Sequence, residues 1–376
     1  MLQKLKPAEH KEEDYSLAGN PRLMPHVKGE KTISVFCFKK CTEYDPAKGW
    51  DLSKIRETLK KHPGIDLALT PEYTLGPISQ IKNNNARLIL KDDGSYVLSP
   101  ISLPSLPCSH LISAVNSICA MAKESGTNIA LGTLPVVFSV PLPSGETADI
   151  VFNTMLLVDR NGRIVDYHIK KGNVWDAYGF MENKQQTEAN DIAAETFAYD
   201  HSHAFSIENK LGEKLIVLPF ICFDIWDVSS NRDEKNSSSF RSHSRKYFGA
   251  NADIVLYSGV EATDGTVYWS TRNAQQTGRY DVKEYTRNGV PVESIEGWMV
   301  ELRKLKYTAP NRGVFLFSDP GEAGAYYMSP KFLSPMYPAD KIIYNRDCGL
   351  YGIFRIPLKP QPPPSDSKDA FMKKKD

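Results

Sequence analysis

Leu215-Ile216-Val217-Leu218-Pro219-Phe220-Ile221-Cys222-Phe223-Asp224-Ile225 is an apolar run that reaches a cysteine, after which the chain turns polar. A short apolar run bounded in this way reads as a strand buried on both faces. Its thiol sits at the strand's C-terminal end, where open α/β sheets place their chemistry. Outward from it, similar runs recur at Ile33 to Phe38, Asp66 to Thr70, Ile129 to Thr133 and Ala252 to Tyr257. Between them lie helical patterns. Leu52, Ile55 and Leu59 recur at helical spacing over Asp51 to His62, and Pro63-Gly64 closes that segment. Leu111, Ala114, Val115, Ile118, Met121 and Ala122 do the same over Cys108 to Glu124, ahead of Gly126. Asp93-Gly94 and Asn161-Gly162 mark two hairpins, the second joining Ile150 to Val158 with Ile164 to Lys170. After Lys170 a stretch rich in Glu, Asn and Gln reads as loop, followed by a strand near Ala204 to Ile207 and a turn at Gly212. Phe240 to Phe248 reads as a helix, and late strands are expected near Val314 to Phe317 and Gly352 to Ile356. Strands alternating with helices and interrupted by hairpins predict an α/β layered fold with mixed sheets.

The bulk numbers narrow the function classes. A chain of 376 residues can bury a large core. A net charge of +1 gives no field that would draw it to nucleic acid or to an anionic membrane, so neither is expected as a partner. No apolar run reaches the roughly 18 residues of a membrane span, and the first residues lack the apolar core of a secretory signal, so a cytoplasmic location is expected. Residues 1–30 read as an extended arm, 31–358 as one domain, and 359–376 as a disordered tail of prolines and lysines. The six cysteines do not form a disulfide framework in this reading, and Cys37 with Cys41 lacks the companions of a zinc site. No metal or organic cofactor is implied.

A cysteine attacks as thiolate, and with an ordinary pKa near ~8.5 it needs a base at neutral pH. Two other strand ends supply complementary groups: Glu72 after Leu69-Thr70-Pro71, and Lys170 after Tyr167-His168-Ile169. Glutamate in an apolar site can take the thiol proton. Lysine can hold the thiolate and then the oxyanion formed when a carbonyl or nitrile carbon is attacked. The backbone N–H of Phe223 is a second candidate donor to that oxyanion. Each residue taken alone also fits a plain role: buried filler, turn start or solvated strand end. Neither a Gly-x-Ser-x-Gly elbow nor a His-Glu-x-x-His helix nor a Gly-rich phosphate loop occurs. His201 and His203 lie in a polar stretch and read as surface residues.

In order along residues 32 to 325, these segments resemble the nitrilase superfamily of carbon–nitrogen hydrolases, in its amidase-like branch. The carriers are Asp66-Leu-Ala-Leu-Thr-Pro-Glu72, Ile129-Ala-Leu-Gly-Thr133, Phe152-Asn153-Thr154 with Asp159-Arg-Asn-Gly162 and Tyr167, Ile221-Cys-Phe-Asp224, and Gly249-Ala-Asn-Ala-Asp-Ile-Val-Leu256. The resemblance implies a four-layer α-β-β-α sandwich with two mixed β-sheets and a Glu72, Lys170, Cys222 triad. It further implies hydrolysis of a small-molecule amide, or alternatively of a nitrile, and association as a homo-oligomer. A catalytically idle scaffold that binds a partner is the competing expectation. Two departures stand out. The family's lysine follows its tyrosine by two residues, a position held here by Ile169. Counting from the glycine turn selects Lys170, and counting back from Val174 selects Lys171. A second glutamate that positions substrate is expected at Glu182, with Glu188 as the alternative. The insertion at 77–106 and the loop at 228–239 are expected to cap the pocket.

Overall fold

The computed structural model describes residues 30–76, 86–101, 106–170, 188–201, 204–221, 252–259, 286–287, 290–291, 314–318, 323–327, 337–338, 341–345 and 348–357. In chain order the elements are β1 (Glu30–Phe38), β2 (Glu43–Asp45), β3 (Gly49–Asp51), α1 (Ser53–Lys61), β4 (Leu67–Leu69), β5 (Ala86–Leu90), β6 (Tyr96–Pro100), α2 (Leu106–Ser125), β7 (Asn128–Pro141), β8 (Thr147–Val158) and β9 (Ile164–Ile169). There follow α3 (Glu188–Asp200), β10 (Phe205–Glu208), β11 (Lys214–Ile221), β12 (Ile254–Ser258), β13 (Thr286–Arg287), β14 (Val290–Pro291), β15 (Val314–Ser318), β16 (Ala323–Tyr327), β17 (Tyr337–Pro338), β18 (Lys341–Asn345) and β19 (Gly349–Pro357).

Two sheets dominate. The larger places β1 parallel to β4 and β4 parallel to β7, with β19 antiparallel to β1 and the long β7–β8–β9 meander antiparallel on the other side. The smaller has the order β10-β11-β12-β15-β16-β17, of which β11, β12 and β15 are parallel. Side-chain alternation along each strand divides the core. Ile33, Val35 and Cys37 of β1 join Leu67, Leu69, Met155, Leu157, Val217, Leu256, Leu316 and Phe354 in one apolar layer between the sheets. Phe36 and Phe38 point the other way, with Ala68, Ile129, Leu131 and Leu156, to meet Ile55 and Leu59 of α1 and Leu111, Val115, Ile118 and Ala122 of α2. Strands sandwiched in this way must be apolar on both faces, which is why they read as unbroken runs.

The described residues therefore form three layers: helices, large sheet, small sheet. Leu218, Phe220, Val255 and Tyr257, which alternate to the outer side of the small sheet, are buried as well. The fourth, helical layer expected on that side, including the helix at 240–248, falls outside the described residues, as do the N-terminal arm, the tail and the 228–239 loop.

Two sequence expectations are corrected here. The stretch read as continuous loop after Lys170 contains a helix, α3, whose Ala194, Phe197 and Ala198 pack on Val140, Ile150, Phe152 and Ile169 at the far end of the meander. Its flanks of Glu, Asn and Asp hid an apolar stripe only three residues wide. His201, read as a surface residue, is half-buried and stacks on Phe197 with ring centroids 3.9 Å apart.

Candidate active site

The C-terminal ends of the parallel strands in both sheets meet at one edge of the sandwich. Gly259, just past β12, donates its N–H to the carbonyl of Ser318 at the end of β15, and its own carbonyl accepts the N–H of Glu72 at 3.1 Å. Ser258 Oγ donates to the carbonyl of Thr70, which follows β4, at 3.0 Å. The next parallel neighbour, β11, ends with Ile221 in register opposite Ser258. These bonds join the two sheets where Glu72 leaves β4.

The turn carrying Glu72 is held against β7. The large sheet has a bulge between Leu131 and Thr133, opposite β8. There Gly132 N–H donates to Thr70 Oγ1 at 2.6 Å, and Tyr73 N–H donates to Thr133 Oγ1 at 2.9 Å. A Cβ on Gly132 would lie 1.7 Å from the carbonyl oxygen of Pro71, so only glycine permits this approach. Tyr73 itself adopts φ 55°, the left-handed region that a bulky residue enters only when its surroundings demand it.

Glu72 and Lys170 are brought together. Lys170 Nζ lies 2.7 Å from Glu72 Oε1, with the two residues 5% and 2% exposed. Lys170 extends the β8–β9 ladder, since its N–H donates to the carbonyl of Asn153 at 2.9 Å. It shares a face with His168, which sits opposite Met155 of the inter-sheet core. Its ammonium also lies 5.9 Å from the Tyr73 ring centroid. Register thus turns Lys170 towards Glu72, whereas Lys171 lies outside the described residues. So do Cys222, Phe223 and Glu182; Glu188 opens α3, and its side chain is not described.

A third polar group enters the same contact. Asn153 Nδ2 donates to Glu72 Oε1 at 2.7 Å from a buried position on β8. Sequence reasoning gave Asn153 no role. The available signal was an amide in the middle of the apolar run Ile150 to Val158, because a buried side-chain amide requires a partner. Of the 77–106 insertion, residues 86–101 and Leu106 are described. Its hairpin, β5–β6, buries Ala86 and Leu98 with α2 on the helix-covered face, opposite to Asn153 and Lys170, and touches β7 and β9 through single bridges. Among the described residues no three His, Cys, Asp or Glu side chains gather as a metal site.

The sequence matches no family model and no curated protein sequence. Among solved structures the chain is similar to Nit3 of Saccharomyces cerevisiae, a member of branch 10 of the nitrilase superfamily, at TM-score 0.43 and 14% identity over 87% of this chain and 90% of that one. It is similar to a cysteine-to-alanine mutant of a Nesterenkonia amidase from the nitrilase superfamily at TM-score 0.41 and 15% identity, covering 88% and 92% of the two chains. A carbon–nitrogen hydrolase from Helicobacter pylori matches at TM-score 0.43 and 10% identity, covering 86% and 89%.

Proposed function

We propose that this protein is a nitrilase-type carbon–nitrogen hydrolase that cleaves a small non-peptide amide through a thioester on Cys222. The observation that carries this reading is the Glu72–Lys170 pair, buried and 2.7 Å apart at the edge where the parallel strands of both sheets end. Burying two full charges costs more than their attraction commonly returns, so such a pair is weak support for stability alone. Buried titratable groups in close contact collect at functional sites. Ile221 ends β11 one register step from Gly259, whose carbonyl holds the Glu72 amide.

In this mechanism the Cys222 sulfur attacks the carbonyl carbon while its proton passes to Glu72. Lys170 and the Phe223 N–H hold the resulting oxyanion. Glu72 returns the proton to the departing nitrogen, the C–N bond breaks, and the acyl group remains as a thioester. Water then attacks the thioester, giving its proton to Glu72, and the sulfur leaves to recover that proton. The reading assigns substrate positioning to Glu182 and treats residues 31–358 as one domain that associates with a second copy.

Peptide mass mapping after brief iodoacetamide treatment tests the activated thiol without a known substrate. Cys222 should react well ahead of the other cysteines. Burial pushes the Cys41 thiol up to about 12 and the Cys119 thiol up to about 11, which keeps both protonated and slow. Equal reactivity across the chain would favour the idle-scaffold alternative. Assay of matched amides and nitriles then separates amidase from nitrilase chemistry.

A further inference from the structure

We infer that Asn153 is a positioning residue for Glu72, keeping the carboxylate ionised and aimed for proton transfer. The inference rests on the hydrolase reading above and adds a residue to it. Asn153 grips both members of the buried pair. Its Nδ2 donates to Glu72 Oε1 at 2.7 Å, the same oxygen that Lys170 Nζ reaches at 2.7 Å. Its main-chain carbonyl accepts the Lys170 N–H at 2.9 Å, fixing where the lysine leaves β9. The residue is 5% exposed, so water does not compete well for the amide. A hydrogen bond donated to a carboxylate favours its charged form. Two donors on one oxygen also restrict rotation of the carboxyl group, which preserves the geometry that proton transfer requires. An apolar residue at this position of β8 would fill the space and supply neither effect.

Among the described residues, the titratable groups beside Glu72 are Lys170, which meets it, and Tyr73, next to it in the chain, while His168 shares the face of β9 with Lys170 two residues back, opposite Met155; in the reading, Cys222 joins them. None of these is altered by a change at position 153. The test is the pH dependence of Cys222 alkylation by iodoacetamide in the full chain. In the unaltered protein the rate falls at low pH as Glu72 takes up a proton. Asn153→Leu removes the donor while keeping the branched shape and the number of side-chain heavy atoms, and should move this acid limb upward by about one pH unit or more. Asn153→Asp sets a second carboxylate against the first and should move it further. A merely structural asparagine would lower the melting temperature or the amplitude and leave the limb in place, and that result overturns the role. Where neither variant folds, the unaltered chain labelled with ¹⁵N-asparagine decides the matter. One side-chain amide resonance must follow the acid limb and lose that dependence in Glu72→Gln; absence of such a resonance overturns the inference. If Cys222 of the unaltered protein is no faster than the other thiols, the hydrolase reading fails first and the role of Asn153 falls with it.

Discussion

Glu72 and Lys170 form a charge pair almost out of contact with water, Nζ to Oε1 2.7 Å. Removing one partner strands the other, which typically costs about 3–5 kcal/mol, whereas removing both spares that penalty. Glu72→Gln and Lys170→Met should therefore each lower the unfolding free energy by about that amount, and the double variant should be more stable than either single one. Urea unfolding of the four proteins measures the coupling. Strict additivity would mean that the pair is not compensated as drawn. For the reaction, Cys222→Ala should abolish turnover of an identified amide and Cys222→Ser should lower it by roughly 10⁴ or more, since members of an interdependent set fail together. Wild-type rates in either variant would remove the cysteine from the mechanism.

Among the elements, β7 matters through its irregularity. The bulge at Gly132 lets the Thr70–Tyr73 turn lie directly on the strand, with Pro71's carbonyl where a side chain would be. Gly132→Ala should cost about 3 kcal/mol or more, the upper end of overpacking or beyond, because the atom met is a backbone carbonyl that cannot turn aside, and it should slow Cys222 alkylation by displacing Glu72. Loss of stability without loss of labelling would separate the turn from the chemistry. The far end of the sandwich is joined differently. Buried Asp66 accepts the Ser34 N–H and Oγ at 2.8 Å each and the Lys210 N–H at 2.6 Å, and Asn128 bridges the Asp66 and Glu208 carbonyls. These contacts tie the β10–β11 turn of the small sheet to the large one. Asp66→Ala leaves several buried donors unpaired and should cost about 3 kcal/mol or more in thermal or chemical unfolding, with Asp66→Asn losing less.

For the whole molecule, burial of weak acids sets an alkaline limit. Burial pushes the Cys41 thiol from 9.0 up to about 12, and burial is also the main cause that raises the Tyr167 and Tyr351 hydroxyls from 10.0 to about 12. These groups hold their protons more tightly folded than unfolded, so their contribution is complete below about pH 9 and is lost as pH rises towards 12. Unfolding midpoints should accordingly be flat from pH 7 to 9 and fall above it; a flat profile to pH 11 would contradict the burial of these groups. Much of the architecture was legible by itself in the chain: the apolar runs of β1, β4 and β11, the helical stripes of α1 and α2, the Asn161-Gly162 hairpin and a glutamate just past a strand end. Such features are encoded in windows of a few residues, by side-chain periodicity and turn chemistry. Only the tertiary structure decided that Lys170 meets Glu72, that Asn153 donates to the same oxygen, and that Gly132 must lack a side chain. Those contacts join residues 98, 81 and about 60 positions apart, and their direction depends on strand register and a bulge, which no local pattern specifies.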